Sequence, residues 1–198
     1  MASVARDIPG YDHWLERFPD LPTLTGRRAL DVGCGPGIDT QVLTSWGFAV
    51  TACDVSPDAL ATSGQRNPSA RHVLADARTL APLASESFDL VVASLSLHYF
   101  DFADSHRAFS SVHRVLAAGG RFVFRVNAWD DYEFGASANA PPWELVRYRN
   151  QTKQFFTEEM LREVLLTRFQ ILSLEKGSTD RYVKRKSCFV GRARKLPD

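Results

Sequence analysis

A doubly wound α/β domain is the fold class that the 198-residue sequence predicts, and three observations predict it. Short apolar runs alternate with stretches of helical period, the order expected of parallel βαβ units. Glycines crowd directly behind the first apolar run, in ALDVGCGPGIDT (29–40), where a strand-to-helix turn brings backbone close to a ligand. The chain suits one domain with a sizeable core, and its composition is ordinary, 44% hydrophobic and 24% charged.

The elements follow in order. RRALDVG reads as a first strand and IDTQVLTSWG as a helix closed by Gly47. FAVTACD is a second strand. SPDALATSGQR is a helix with Ser56 as its N-cap and Pro57 in its first turn; the hydroxyl satisfies a free amide, and proline's missing N–H costs nothing there. ARHVLAD is a short third strand and SFDLVVASLSL a buried fourth. DSHRAFSSVHRVLAAGG is a helix ended by Gly119 and Gly120, and RFVFRVN a fifth strand. Beyond Asn127 the rhythm breaks: residues 128–154 hold Pro141, Pro142 and several aromatics without a clean period, and a connection that long usually serves function. TEEMLREVLLTRF is a helix with Glu158 and Glu159 in its first turn, favourable to the dipole. FQILSLEKG and KSCFVGRAR are closing strands. One domain over 1–198 is expected, with 1–26 as a cap over the substrate side and 128–156 as an insertion near the active site.

Net charge is +1, so no global field recruits nucleic acid or an acidic membrane. The start, MASVARDIPGYDHW, lacks the apolar core of a signal peptide, and no uncharged apolar run could span a bilayer. Cys34, Cys53 and Cys188 have no metal-site spacing; reduced thiols in a cytoplasmic protein are expected, and no metal site.

The glycine loop lacks the G-K-[ST] of a phosphate loop, and Gly33, Gly35 and Gly37 alternate strictly instead of following G-x-G-x-x-G. Asp31, two residues before the first glycine, would repel a pyrophosphate but suits a cationic amine. A ligand with a nucleoside at one end and an amino acid at the other fits: S-adenosyl-L-methionine. Glycines would let the backbone pass against it, since a Cβ there would collide, and the next helix's amides can face its carboxylate. Asp54, ending the second strand, can accept both ribose hydroxyls. Asp76, after the third strand, can accept from the adenine amine while the amide of Ala77 meets the ring. Val55 and Ser94 stand beside them at strand ends. Each aspartate alone could be a turn residue or cap; three at successive strand tips point to one ligand.

LDVGCGPG, ACDVSPDAL, ADAR, FDLVVASLSLHYF and HRVLAAGGRFVFRV, from about residue 28 to 127, resemble the successive motifs of class I S-adenosylmethionine-dependent methyltransferases. VLAAGG replaces the family's frequent LKPGG. The resemblance implies a Rossmann-like seven-stranded sheet with its last strand antiparallel. It also implies methyl transfer to an oxygen, nitrogen or sulfur of a small molecule, leaving S-adenosyl-L-homocysteine. Within the superfamily the chain is similar to small bacterial-type small-molecule enzymes. Nucleic-acid methylation is the alternative, against which SLSL stands where amino-directed nucleobase enzymes carry an NPPY-type tetrad. A non-catalytic cofactor-binding protein is another, and a dinucleotide-dependent oxidoreductase is opposed by Asp31.

Methyl transfer asks chiefly for alignment, worth roughly 7–11 kcal/mol. His98, after the fourth strand, is the one candidate base, given a pKa near neutrality; it could equally bond a neighbouring loop. His13 is second choice, while His72, His106 and His113 look like surface or strand-start residues. Tyr99, and less so Phe100, can attract a sulfonium. Tyr11, Trp14 and Phe18 sit at near-helical spacing and either roof a substrate pocket or pack on the sheet. Trp129 in the insertion and Asn127 at the end of the fifth strand join the substrate candidates. Arg125, a guanidinium inside a strand, must find a partner: a substrate anion, or more simply Asp130, Asp131 or Glu144. Arg147, Tyr148, Arg149 and RYVKRK (181–186) form a basic concentration whose interleaved aromatics invite an RNA-binding reading; the run between the closing strands reads more simply as a solvated hairpin tip.

Overall fold

The computed structural model describes residues 8–138 and 144–197; Pro141, Pro142 and the first seven residues lie outside them. Seven strands form one sheet: β1 (Arg28–Val32), β2 (Ala49–Asp54), β3 (Arg71–Leu74), β4 (Phe88–Ser94), β5 (Leu116–Asn127), β8 (Phe169–Thr179) and β9 (Lys186–Lys195). Their order is β3-β2-β1-β4-β5-β9-β8. The first five run parallel, and β9 runs antiparallel to both β5 and β8. This is the α/β, Rossmann-like, doubly wound seven-stranded sheet with an antiparallel last strand.

Strand alternation sorts the side chains into two cores. On β1, Leu30 and Val32 join Phe109, Phe122, Phe124 and Phe156 under α3 (Phe102–Val115) and α4 (Glu158–Leu166). Ala29 faces the other way, with Val42 and Leu43 of α1 (Ile38–Ser45). The N-terminal segment packs on this second face: Tyr11, Trp14, Leu15, Phe18 and Leu21 are all buried there. Tyr11, Trp14 and Phe18 pack on the sheet around a 3₁₀ turn over Trp14–Arg17, and Tyr11 and Trp14 also line a cavity. The remaining helix, α2 (Pro57–Arg66), starts as expected, with Ser56 accepting from the Ala59 amide at 3.2 Å.

Two local expectations need correction. The helix α3 ends at Val115, and Gly119 and Gly120 already belong to β5. Its last carbonyls need no glycine cap, because the amides of Glu86 and Ser87 donate to Arg114 and Val115 at 2.9 and 2.8 Å. The Arg114 guanidinium in turn holds the carbonyls of Thr79, Leu80 and Leu83. The glycines sit instead in a bulge, since Phe88 pairs with Leu116 but Leu90 with Arg121. The insertion also carries regular structure that its sequence did not announce. A hairpin of β6 (Val146–Tyr148) and β7 (Gln151–Lys153) turns through Arg149 at φ 56°.

Candidate active site

A crevice of about 790 Å³ runs along the carboxyl edge of the parallel strands, where open α/β sheets bind ligands. Gly33, Gly35, Asp54, Val55, Asp76, Ala77 and Ser94 line it, while Asp31 and Gly37 stand behind its wall. Leu95, directly after β4, also lines it and is held at φ 55°, a conformation that costs an L-residue about 1–2 kcal/mol.

The three glycines do different work. A Cβ on Gly33 would lie 2.3 Å from that of Ser96, and one on Gly37 2.4 Å from both Asn67 Nδ2 and Ser63 Oγ. At both positions the protein's own packing already excludes a side chain, a constraint that the sequence reading did not include, and Gly33 lines the crevice as well. A Cβ on Gly35 would meet nothing within 4 Å, so here the bare backbone faces open crevice. All three have positive φ. Gly33→Ala is therefore expected to destabilise the fold through its clash with Ser96. Gly35→Ala should fold with a loss of about 1–2 kcal/mol and fill ligand space, so its main loss is affinity. Thermal unfolding and calorimetry on the pair check this.

Asp31 is almost fully buried and accepts from Thr40 Oγ1 at 2.6 Å. Burial, and then the charge of Asp39, push its carboxyl up to about 7. Asp39, which the sequence reading missed, lines the crevice and accepts from Trp14 Nε1 at 3.0 Å. The acid nearest the ligand space on this side is therefore Asp39, in the first turn of α1.

Asp54 organises the loop around it: its two carboxylate oxygens accept from the amides of Gly35 and Ser56, both at 3.0 Å. Asp76 is engaged by Arg78, whose backbone amide and guanidinium approach it at 2.6–3.1 Å. Arg78 also reaches Asp104 at 3.0 Å and covers the ring of Phe100 at 5.5 Å. This clamp holds the Asp76 carboxyl below the usual range, and an adenine amine would share it with Arg78.

A second cavity, of about 440 Å³, adjoins the crevice. Tyr99, Gln151 and Tyr182 line both spaces. His98 lines the second, 2% exposed, with its ring 4.4 Å from that of Tyr99 and its Nδ1 without a hydrogen-bond partner. Burial, then the charges of Lys186 and Lys153, push the imidazole well below its ordinary range. The expected pKa near neutrality is thus corrected: the sequence does not announce the burial, and both lysines come from distant segments.

Arg125 finds its partner, but not among the acids nominated for it. Its guanidinium pairs with Asp12 of the N-terminal segment, donates to Ser94 Oγ from Nε at 3.1 Å and Nη2 at 2.8 Å, and stacks 4.3 Å over Trp14. Asp12 also accepts from Thr179 Oγ1; burial opposes its ionisation, yet Arg125 and Thr179 hold its carboxyl low. Two of the three nominated acids serve lysines instead, Asp131 pairing with Lys186 at 2.8 Å and Asp130 with Lys176. A third cavity, of about 530 Å³, gathers Tyr11, His13, Trp14 and Arg125. Asn127 and Trp129 line none of these three spaces. Asn127 is fully buried, and Trp129 is exposed beneath Lys176, 5.3 Å from its ring.

The RYVKRK run is only in part a solvated tip. Arg181 and Tyr182 turn into the crevice wall, Lys186 is buried, Lys184 pairs with Glu133, and Arg185 donates to Ser178 at 2.7 Å. The three cysteines are buried thiols whose pKa burial raises. Among the described residues, no group of three His, Cys, Asp or Glu side chains could hold a metal. No helix among them is long and apolar enough to cross a membrane.

The sheet order, the glycine turn and the acid at the tip of β2 define a nucleoside-binding domain of the Rossmann-like class. The chain carries the class I S-adenosylmethionine-dependent methyltransferase fold. Residues 30–124 match the family described as methyltransferase domain. An S-adenosylmethionine-dependent methyltransferase from Mesorhizobium loti superposes with a TM-score of 0.75 at 24% identity, over 95% of this chain and all of that one. A malonyl-[acyl-carrier protein] O-methyltransferase from Enterobacter lignolyticus is 31% identical over 145 residues, 73% of this chain and 55% of that protein. The 18S rRNA (guanine(1575)-N(7))-methyltransferase of Saccharomyces cerevisiae is 32% identical over 104 residues, 48% of this chain and 38% of that protein. The chain thus spans about half the length, or less, of these curated relatives.

Proposed function

We propose that this protein transfers a methyl group from S-adenosyl-L-methionine to an oxygen, nitrogen or sulfur of a small-molecule acceptor. One observation carries the proposal: a crevice edged by Asp39, Asp54 and Asp76 with open backbone at Gly35, opening beside a separate, aromatic-lined cavity. In it Asp54 would hold the ribose, Asp76 and the Ala77 amide the adenine, and Asp39, backed by Asp31, the ammonium. The exposed side chain of Val55 gives the wall an apolar patch. When bound, the cofactor supplies a methyl group on a sulfonium, a leaving group that departs with its own electron pair. The protein's part is to orient the acceptor and exclude water.

A small acceptor is favoured over nucleic acid by the fate of the basic residues. Lys184, Arg185 and Lys186 are engaged by Glu133, Ser178 and Asp131 and present no free cationic strip. Residues of the insertion wall the second cavity, with Tyr99 facing both spaces. Release of S-adenosyl-L-homocysteine over a metabolite panel and a tRNA pool tests the assignment. Turnover confined to tRNA would refute the small-molecule acceptor.

His98 is expected to position the acceptor as a neutral imidazole. With its pKa below the usual range, the rate profile should stay flat through the ordinary imidazole region, about pH 6–7. His98→Ala should lower turnover while leaving cofactor affinity within about twofold. A rate that falls with an imidazole pKa near neutrality would restore His98 as a general base. For stability the sign is fixed by the same depression: in acid the unfolded chain takes the proton first, so the contribution of His98 is lost as pH falls below about 6.5.

A further inference from the structure

We propose that the second cavity takes an organic monocarboxylate as the methyl acceptor, its carboxylate facing Lys153 and its carbon frame lying against the rings of Tyr148 and Phe134. The proposal rests on the assignment of the adjoining crevice to the cofactor.

The charge balance of the cavity wall motivates it. Lys153 and Lys186 both line the space, and they are 7% and 3% exposed. Lys186 is neutralised by Asp131, which is buried with it and also accepts from the Ser187 amide at 3.0 Å. Lys153 has no such partner: among the described residues no carboxylate forms an ion pair with it. Its Nζ meets the Phe134 carbonyl at 3.4 Å and the rings of Tyr148 and Phe134 at 4.6 and 5.9 Å, and the Asp131 charge that it feels is already paired with Lys186. Among the described residues no aspartate or glutamate lines the cavity. Two buried ammonium groups therefore share one buried carboxylate, and a buried cation without an anion is costly. One negative charge brought by a ligand restores the balance, and a dianion would overshoot it. Arg149, on the turn of the hairpin, is solvent-exposed and needs no such complement.

The remaining walls agree. Tyr99, Phe134, Tyr148 and Tyr182 present flat apolar surface, suited to the hydrocarbon part of an acid, and about 440 Å³ is the size of a small organic ligand's site. The third cavity offers no comparable demand, because its buried Arg125 already has Asp12. Burial, then Lys186, lower the Lys153 ammonium, and a carboxylate beside it would offset both. His98, buried on the same wall with Nδ1 unpartnered, is a poor base there. A carboxylate, already ionised, requires none. Its oxygen would form the new bond to the methyl carbon as the carbon–sulfur bond breaks. The electron pair stays on sulfur, and the products are a methyl ester and S-adenosyl-L-homocysteine with no proton transferred.

The test uses the full-length protein saturated with S-adenosyl-L-homocysteine. Benzoate, sorbate and hexanoate are titrated by calorimetry against benzamide, sorbamide and hexanamide, with phenyl phosphate as a dianion. At least one carboxylate should bind about tenfold more tightly than its amide. Lys153→Met and Lys153→Gln should each abolish that preference, Lys153→Arg should keep part of it, and S-adenosyl-L-homocysteine affinity should stay within about twofold in all three. The wild-type comparison stands even if a variant fails to fold. Equal binding of acid and amide, tighter binding of phenyl phosphate, no binding of any carboxylate, or an unchanged preference in a folded Lys153→Met protein would each overturn the proposal. If S-adenosyl-L-homocysteine binds and no carboxylate does, the acceptor proposal alone falls. If S-adenosyl-L-homocysteine itself does not bind, the cofactor assignment falls with it.

Discussion

Arg125→Leu is expected to lower the free energy of unfolding by about 3–5 kcal/mol, the cost of leaving one member of a buried ion pair alone. The guanidinium is 1% exposed and uses Nε, Nη1 and Nη2 at once, on Ser94 and Asp12, while its face lies on Trp14. Leucine can do none of this, and Asp12 would keep its charge with the Thr179 hydroxyl and the more distant charge of Arg181 in place of its paired guanidinium. Arg125→Lys should recover part of the loss, since it restores charge but not the planar fork. The double variant Asp12→Leu, Arg125→Leu should be less damaged than the sum of its parts, because no orphaned charge remains. Denaturant unfolding of the wild type, Asp12→Leu, Arg125→Leu, the double variant and Arg125→Lys measures this. Additive losses would show that Asp12 and Arg125 do not act as a pair. The pair also joins the N-terminal segment to the end of β5, so removing residues 1–20 would strip both a core layer and this bond.

Asp54→Ala should weaken S-adenosyl-L-homocysteine binding about 10- to 100-fold, with a modest loss of stability. Two effects combine. The ribose would lose a charged acceptor, and the amides of Gly35 and Ser56 would lose the carboxylate that holds them at 3.0 Å. Asp54→Asn separates the two, since its amide oxygen can still accept from one backbone amide. If Asn restores affinity, the loop's order dominates; if it does not, the charge on the ribose does. Unchanged affinity in Asp54→Ala would remove the ribose assignment.

What could be read from sequence was local. Period and turn chemistry place β1, α1, β2 and α2, and a strand's end fixes where the residue after it points. Asp54, Asp76 and Gly35 were therefore legible as crevice residues. Features set by contacts remote in sequence were not. Arg125 meets Asp12, 113 positions away, and no pattern in either segment announces the pair. Lys153 and Lys186 approach His98 only once the hairpin and β9 are in place. The end of α3 differs from expectation for the same reason, since amides of Glu86 and Ser87, not a glycine cap, satisfy its last carbonyls. That packing also demands glycine at 33 and 37 was not legible, because sequence shows that a Cβ is absent, not what would collide with it. One signal for Lys153 does lie in the sequence: it stands in RYRNQTKQFF, a cation amid aromatics within the insertion.

The most direct measurement is a calorimetric titration of the protein with S-adenosyl-L-homocysteine beside one with NAD. Saturable one-to-one heat is expected from the first and none from the second, with the first weakened in Asp54→Ala. Saturation by NAD, or silence toward S-adenosyl-L-homocysteine, would contradict the assignment of the crevice.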